Sequence, residues 1–69
     1  MDISLTCILI PGHEIHTYHG KRGDTFEDAL LAIGLIPDTV LIFHNGISLP
    51  QDKPIEEDVV QIILTASRG

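Results

Sequence analysis

The sequence predicts an α+β domain of order ββαββ plus a final β-strand, a mixed sheet with one helix packed on one face. Three observations carry this. One stretch has helical period: Phe26, Ala29, Leu30 and Ile33 form a single apolar stripe that must be buried against another layer. Two turn signals, Pro11-Gly12 and Asn45-Gly46, each separate segments of strand composition. The two most apolar strands, Ile3 to Ile10 and Val59 to Thr65, begin and end the pattern, and pairing them in parallel at the sheet centre buries both.

In the first strand, Ile3, Leu5, Cys7 and Leu9 alternate with Ser4, Thr6, Ile8 and Ile10. The first set is apolar throughout and is expected to face the core. The second ends apolar, which puts Ile8 and Ile10 on the outer face. Proline presets one φ and glycine supplies a positive one at Pro11-Gly12. The returning strand, Glu14 to His19, must then run antiparallel, and it is short and polar as edges are. Gly20 to Gly23 reads as a loop. Thr25 with Asp28 approximates a capping box, and Glu27 and Asp28 complement the helix dipole. Gly34 ends the helix, with Pro37 shortly beyond.

Thr39 to His44 is the third strand, and Asn45-Gly46 turns it into the short Ile47-Ser48-Leu49 strand, stopped by Pro50. Asp52 to Asp58 is an acidic connection in which Ile55 is expected to plug the core. In the fifth strand Val60, Ile62 and Leu64 form the core face, while Gln61 marks the outer one and leaves Val59 and Ile63 partly exposed. A sheet of this order with first and last strands adjacent is the β-grasp, or ubiquitin-like, fold. Residues 1–65 are expected to form this domain and residues 66–69 a flexible tail.

At 69 residues the chain is near the small end of what folds unaided. Its core is aliphatic, with only Tyr18, Phe26 and Phe43 as aromatics, and the expected margin is about 3–5 kcal/mol. The single cysteine, Cys7, excludes an internal disulfide and a cysteine-based zinc cluster. Lying in an apolar strand pattern, it reads as a buried thiol. No apolar run is long enough to span a bilayer, and no basic region precedes an apolar stretch as in a signal peptide. A soluble cytoplasmic protein with no membrane association is expected. Net charge is −6, and four of the ten acids lie between Asp52 and Asp58. This sign is wrong for nucleic-acid binding and suits either solubility or steering toward a basic protein.

His13, His16 and His19 recur at every third position. On a strand, alternation sends His16 and His19 to opposite faces, so the three do not converge on a metal. His44 reads the same way, as an exposed polar residue. Gly20-Lys21-Arg22-Gly23 lacks the spacing of a phosphate-binding loop. No nucleophile-and-base set and no pocketed carboxylate pair emerges, so the chain is not expected to be an enzyme.

What remains is a surface and a tail. If the first and last strands are neighbours, Ile8, Ile10, Val59 and Ile63 make an apolar patch on the sheet face opposite the helix, the kind of patch that marks a partner. Beyond the last strand, Ala66, Ser67, Arg68 and Gly69 have nothing with which to build a core. Four extended residues reach about 13 Å, enough to put a terminal carboxylate into another protein's narrow site.

The run from Asp24 to Ile42 resembles the helix-to-strand segment of the sulfur-carrier proteins ThiS and MoaD and of their relatives, the small archaeal modifier proteins. Asn45-Gly46, Leu49-Pro50, Asp52, Pro54-Ile55, Glu57-Asp58 and Val59-Val60 continue that pattern in order. The resemblance implies a carrier that binds no cofactor itself. Its C-terminal glycine carboxylate, here Gly69, is activated with ATP by a partner adenylyltransferase of the ubiquitin-activating type. Sulfide then gives a thiocarboxylate, used for thiamine or molybdopterin biosynthesis through a sulfur-accepting synthase subunit, or a protein nucleophile takes the acyl group. The family's penultimate glycine is replaced by Arg68, a long charged side chain where the partner's channel is tightest. Three readings stay open at this point: a sulfur carrier, a modifier joined to lysines, and an interaction module that never uses its tail.

Overall fold

A computed structural model describes residues 1–65. The tail expected at residues 66–69 lies outside them. The elements are β1 (Asp2–Ile10), β2 (Glu14–Lys21), helix α1 (Phe26–Ala32), a 3-10 turn (Pro37–Thr39), β3 (Val40–His44), β4 (Ile47–Leu49) and β5 (Val59–Leu64). One five-stranded sheet has the order β2-β1-β5-β3-β4. β1 and β5 pair in parallel at its centre, with Cys7 beside Val60 and Leu9 beside Ile62, and the other pairings are antiparallel. This is the β-grasp arrangement.

The core lies between helix and sheet. Leu5, Cys7 and Leu9 from β1, Val40 and Ile42 from β3, and Val60 and Ile62 from β5 meet Phe26, Ala29 and Leu30 from α1, with Ile55 entering from the acidic connection. Leu5, Cys7, Phe26, Leu30, Val60 and Ile62 are shielded from solvent almost completely. Ile3, Ile33 and Leu64 pack at the margin.

A helix this short needs both ends satisfied. At its start the Asp28 backbone N–H donates to Thr25 Oγ1 at 3.3 Å, and the Thr25 N–H donates to Asp28 Oδ2 at 3.0 Å, so the capping box is complete. Two further N–H groups of the first turn find carbonyls in the connection after β4: Phe26 donates to Lys53 and Glu27 to Gln51. At its end the N–H groups of Gly34 and Leu35 donate to the carbonyls of Leu31 and Leu30. This is a Schellman closure, with Gly34 at the φ of 89° that it requires.

Four boundaries differ from expectation, the smallest being β1, which starts at Asp2 and not Ile3. β2 runs on through Gly20 and Lys21, which pair with Ile3 and Asp2, so only Arg22 and Gly23 are left of the expected loop. There the Tyr18 ring leans over Gly20: a Cβ on Gly20 would sit 2.5 Å from Tyr18 Cε2. Thr39 closes the 3-10 turn begun by Pro37 instead of opening β3. Thr65 lies just past β5. The Asn45-Gly46 hairpin is as expected, both residues at positive φ. The first hairpin turn contains a cis Ile10–Pro11 peptide and positive φ at both Gly12 and His13.

Candidate functional site

The helix covers one sheet face and leaves the other open, and strand register determines what the open face presents. Ile10, Ile63 and Leu41 stand side by side across β1, β5 and β3. One step along, Ile15, Ile8, Gln61 and Phe43 form a second row across four strands. Val59 lies beside Thr6 in a third. The expected patch of Ile8, Ile10, Val59 and Ile63 is therefore contiguous, and it is larger than expected. Leu41, Phe43 and Ile15 belong to it, with Ile15 the most exposed at 66% and Leu41 at 47%. Their membership depends on which strands are neighbours, and periodicity within a strand carries no trace of that.

The face is also empty of charge. From Ser4 and His19 at one end to Ile10 and Ile63 at the other, it holds only apolar, hydroxyl, amide and imidazole side chains among the described residues. Asp2 and Lys21 face each other beyond the Ser4 end. In a chain of net charge −6, the charge therefore lies off this face, and interface centres are typically depleted in charge. A cleft of about 190 Å³ interrupts the face between Ile8, Phe43, Val59 and Gln61, with His44 and Asn45 at its rim. His44 is held there. Its Nδ1 lies 3.0 Å from the Val59 carbonyl and must donate to it, and its Nε2 lies 3.3 Å from Asn45 Nδ2.

The Ile10–Ile63–Leu41 row adjoins the end of β5, where the described residues stop. Val40 pairs with Leu64, and Thr65 then donates twice to the Thr39 carbonyl, from its N–H at 3.0 Å and from Oγ1 at 2.8 Å. The open face thus extends to the point where residue 66 begins. Ala66, Ser67, Arg68 and Gly69 lie outside the described residues.

Other chemistry-bearing groups are committed to structure. Cys7 is buried, and burial pushes its thiol up to about 11. His16 lies beside Cys7 on the helix side, whereas His19 lies on the open face with its Nδ1 3.1 Å from Ser4 Oγ. No group of three His, Cys, Asp or Glu side chains suited to a metal ion occurs among the described residues. Tyr18 donates to Asp24 Oδ2 at 2.6 Å, and the Lys21 N–H donates to the same oxygen at 2.9 Å. The bond to Asp24, helped by burial and by the nearby charges of Asp24 and Asp28, pushes the phenol up to about 12. The same bond, with the Lys21 N–H, holds the Asp24 carboxyl below its usual range. Lys53 Nζ lies 3.2 Å from both Glu56 and Glu57 and over the Phe26 ring, so the acidic connection is stitched to the helix. Among the described residues no helix is long and apolar enough to cross a membrane.

The model of one protein family, small archaeal modifier protein 2, matches residues 3–64. The chain belongs to this family. It is accordingly a ubiquitin-like small modifier, related to ThiS and MoaD, of a kind that works with activating enzymes and targets and is not typically catalytic itself. The match spans the helix and all five strands apart from Asp2 at the start of β1, and it ends at Leu64. No curated protein gives a match.

Proposed function

We propose that this modifier is activated at the Gly69 carboxylate by an adenylyltransferase of the ubiquitin-activating type, which docks on the open sheet face, and is then joined to lysines of other proteins. The observation that carries this is the uncharged apolar face running up to the exit of β5. Such a face gives a partner both a place to bind and a fixed direction toward the chain end.

The steps balance without a cofactor on the modifier. A Gly69 carboxylate oxygen attacks the α-phosphorus of ATP on the partner, and pyrophosphate leaves with the electron pair of the broken P–O bond. The acyl-adenylate that results is a carbonyl with a good leaving group. A lysine amine adds to it, AMP departs, and the amine loses a proton as the isopeptide forms. The modifier's own residues supply binding and placement: Ile8, Ile10, Val59, Ile63, Leu41 and Phe43 dock, and the tail of Ala66, Ser67 and Arg68 delivers Gly69.

Tryptic digestion of conjugates recovered from cells tests this directly. Cleavage after Arg68 leaves one glycine on each acceptor lysine, and finding such remnants is the expected result. A second reading, in which sulfide displaces AMP and Gly69 becomes a thiocarboxylate for a sulfur-accepting synthase, is favoured by the Asp24–Asp58 pattern shared with ThiS and MoaD. An oxygen-to-sulfur mass change on the intact chain distinguishes it. Absence of both products removes the proposal and leaves an interaction module.

A further inference from the structure

We infer that Thr65 is a positioning residue that fixes the origin of the chain's last four residues, by means of a double hydrogen bond to the 3-10 turn. The inference rests on the activation reading above.

The ladder between β3 and β5 ends at the Val40–Leu64 pair. Ladder ends open readily, because the last pair has support on one side only. Here the chain continues one residue further, and Thr65 places both its N–H and its hydroxyl on the carbonyl of Thr39. Thr39 is held in turn, since its N–H and its Oγ1 both donate to the Ile36 carbonyl, at 2.9 and 2.7 Å. Pro37 at the first position of that turn removes backbone freedom. Four bonds therefore run from Thr65 through Thr39 to Ile36, on groups that are exposed or only half-buried.

The fold does not depend on this device, because Val60 and Ile62 already hold β5 in the core. Its consequence lies outward. Whatever path residues 66–69 take, they start from Thr65, and the double hydrogen bond holds that starting point relative to the open face. If the origin moves back along the strand, the same docked modifier presents its carboxylate over a larger volume, and productive alignment with the nucleotide becomes rarer.

A graded series separates this role from a structural one. Thr65→Ser keeps both donors, Thr65→Val keeps the shape and loses the hydroxyl, and Thr65→Pro loses both. Each full-length variant is assayed for pyrophosphate release with an adenylyltransferase of the ubiquitin-activating type and saturating ATP. KM for the modifier reports docking on the open face and kcat reports placement. The expected result is wild-type kcat for Ser, about twofold lower for Val and about tenfold lower for Pro, with KM unchanged throughout. Equal kcat across the series overturns the inference, as does a rise in KM that accounts for the loss. An active wild type with a flat series sinks the anchor alone. A wild type that releases no pyrophosphate sinks the activation reading, and the anchor with it.

Discussion

Replacing Ile63 by Asp should separate docking from folding. Ile63 stands between Ile10 and Leu41 on the open face and is half-buried in the free protein. Burying a whole isoleucine is worth about 1.5–3 kcal/mol, so covering the part of Ile63 still exposed contributes up to about 1 kcal/mol to a complex. An unpaired carboxylate in the middle of the covered face adds a desolvation cost of about 1–3 kcal/mol. Together these weaken docking by about 1–4 kcal/mol, or about 5- to 1000-fold. In the free protein the carboxylate is hydrated, and losing the part of Ile63 already buried together with a good strand former costs about 1–2 kcal/mol. Calorimetric titration against the adenylyltransferase measures the affinity, and thermal unfolding checks the fold. Leu31→Asp is the control, because Leu31 is an aliphatic residue exposed at 57%, more than Ile63, and lies on the helix. An affinity within twofold of wild type, or an equal loss for Leu31→Asp, refutes the assignment of the docking surface.

Removing the charge at the penultimate position should have the opposite sign. Arg68→Gly gives the two-glycine ending that the resemblance to ThiS and MoaD implies, and is expected to raise kcat/KM for adenylation by about tenfold or more, read from pyrophosphate release. In the core, Ile62→Ala leaves a cavity beneath the helix and should cost about 2–5 kcal/mol, comparable with the whole expected stability, so urea denaturation should show a largely unfolded population even without denaturant. The Tyr18–Asp24 bond should shape both limbs of the stability–pH curve. The Asp24 carboxyl is lowered in the folded state, so its contribution is present above its ordinary value of 3.8 and fades as pH falls through the folded value. The phenol is raised from 10.0 to about 12, so its contribution is complete below 10 and fades as pH climbs toward 12. Tyr18→Phe should flatten both limbs in urea titrations across pH, and an unchanged profile would show that the bond contributes nothing.

Local chemistry in the sequence is strong enough to read the helix and both hairpins. Thr25, Asp28 and Gly34 act within one turn of the backbone they satisfy, and Asn45-Gly46 is required by its own φ angles, so each signal is complete in a few residues. The outward direction of Ile8, Ile10 and Ile63 follows from strand alternation in the same way. Leu41, Phe43 and Ile15 did not announce themselves, because their place on the open face comes from β3 and β2 lying beside β5 and β1. Gly20 and Lys21 look like a loop by composition and become strand because β1 offers them partners in Ile3 and Asp2. The Thr65–Thr39 contact joins residues 26 apart in sequence, and a threonine at a strand end carries no sign of its distant acceptor.

The account turns on whether the chain's terminal carboxylate accepts a nucleotide. Intact-mass measurement after incubation with the adenylyltransferase and ATP, with neither amine nor sulfide present, tests it most directly. The chain should gain one AMP, and a variant lacking Gly69 should gain none. A mass that stays unchanged for the native chain, while it still binds the enzyme through the open face, contradicts activation and leaves docking as the only role.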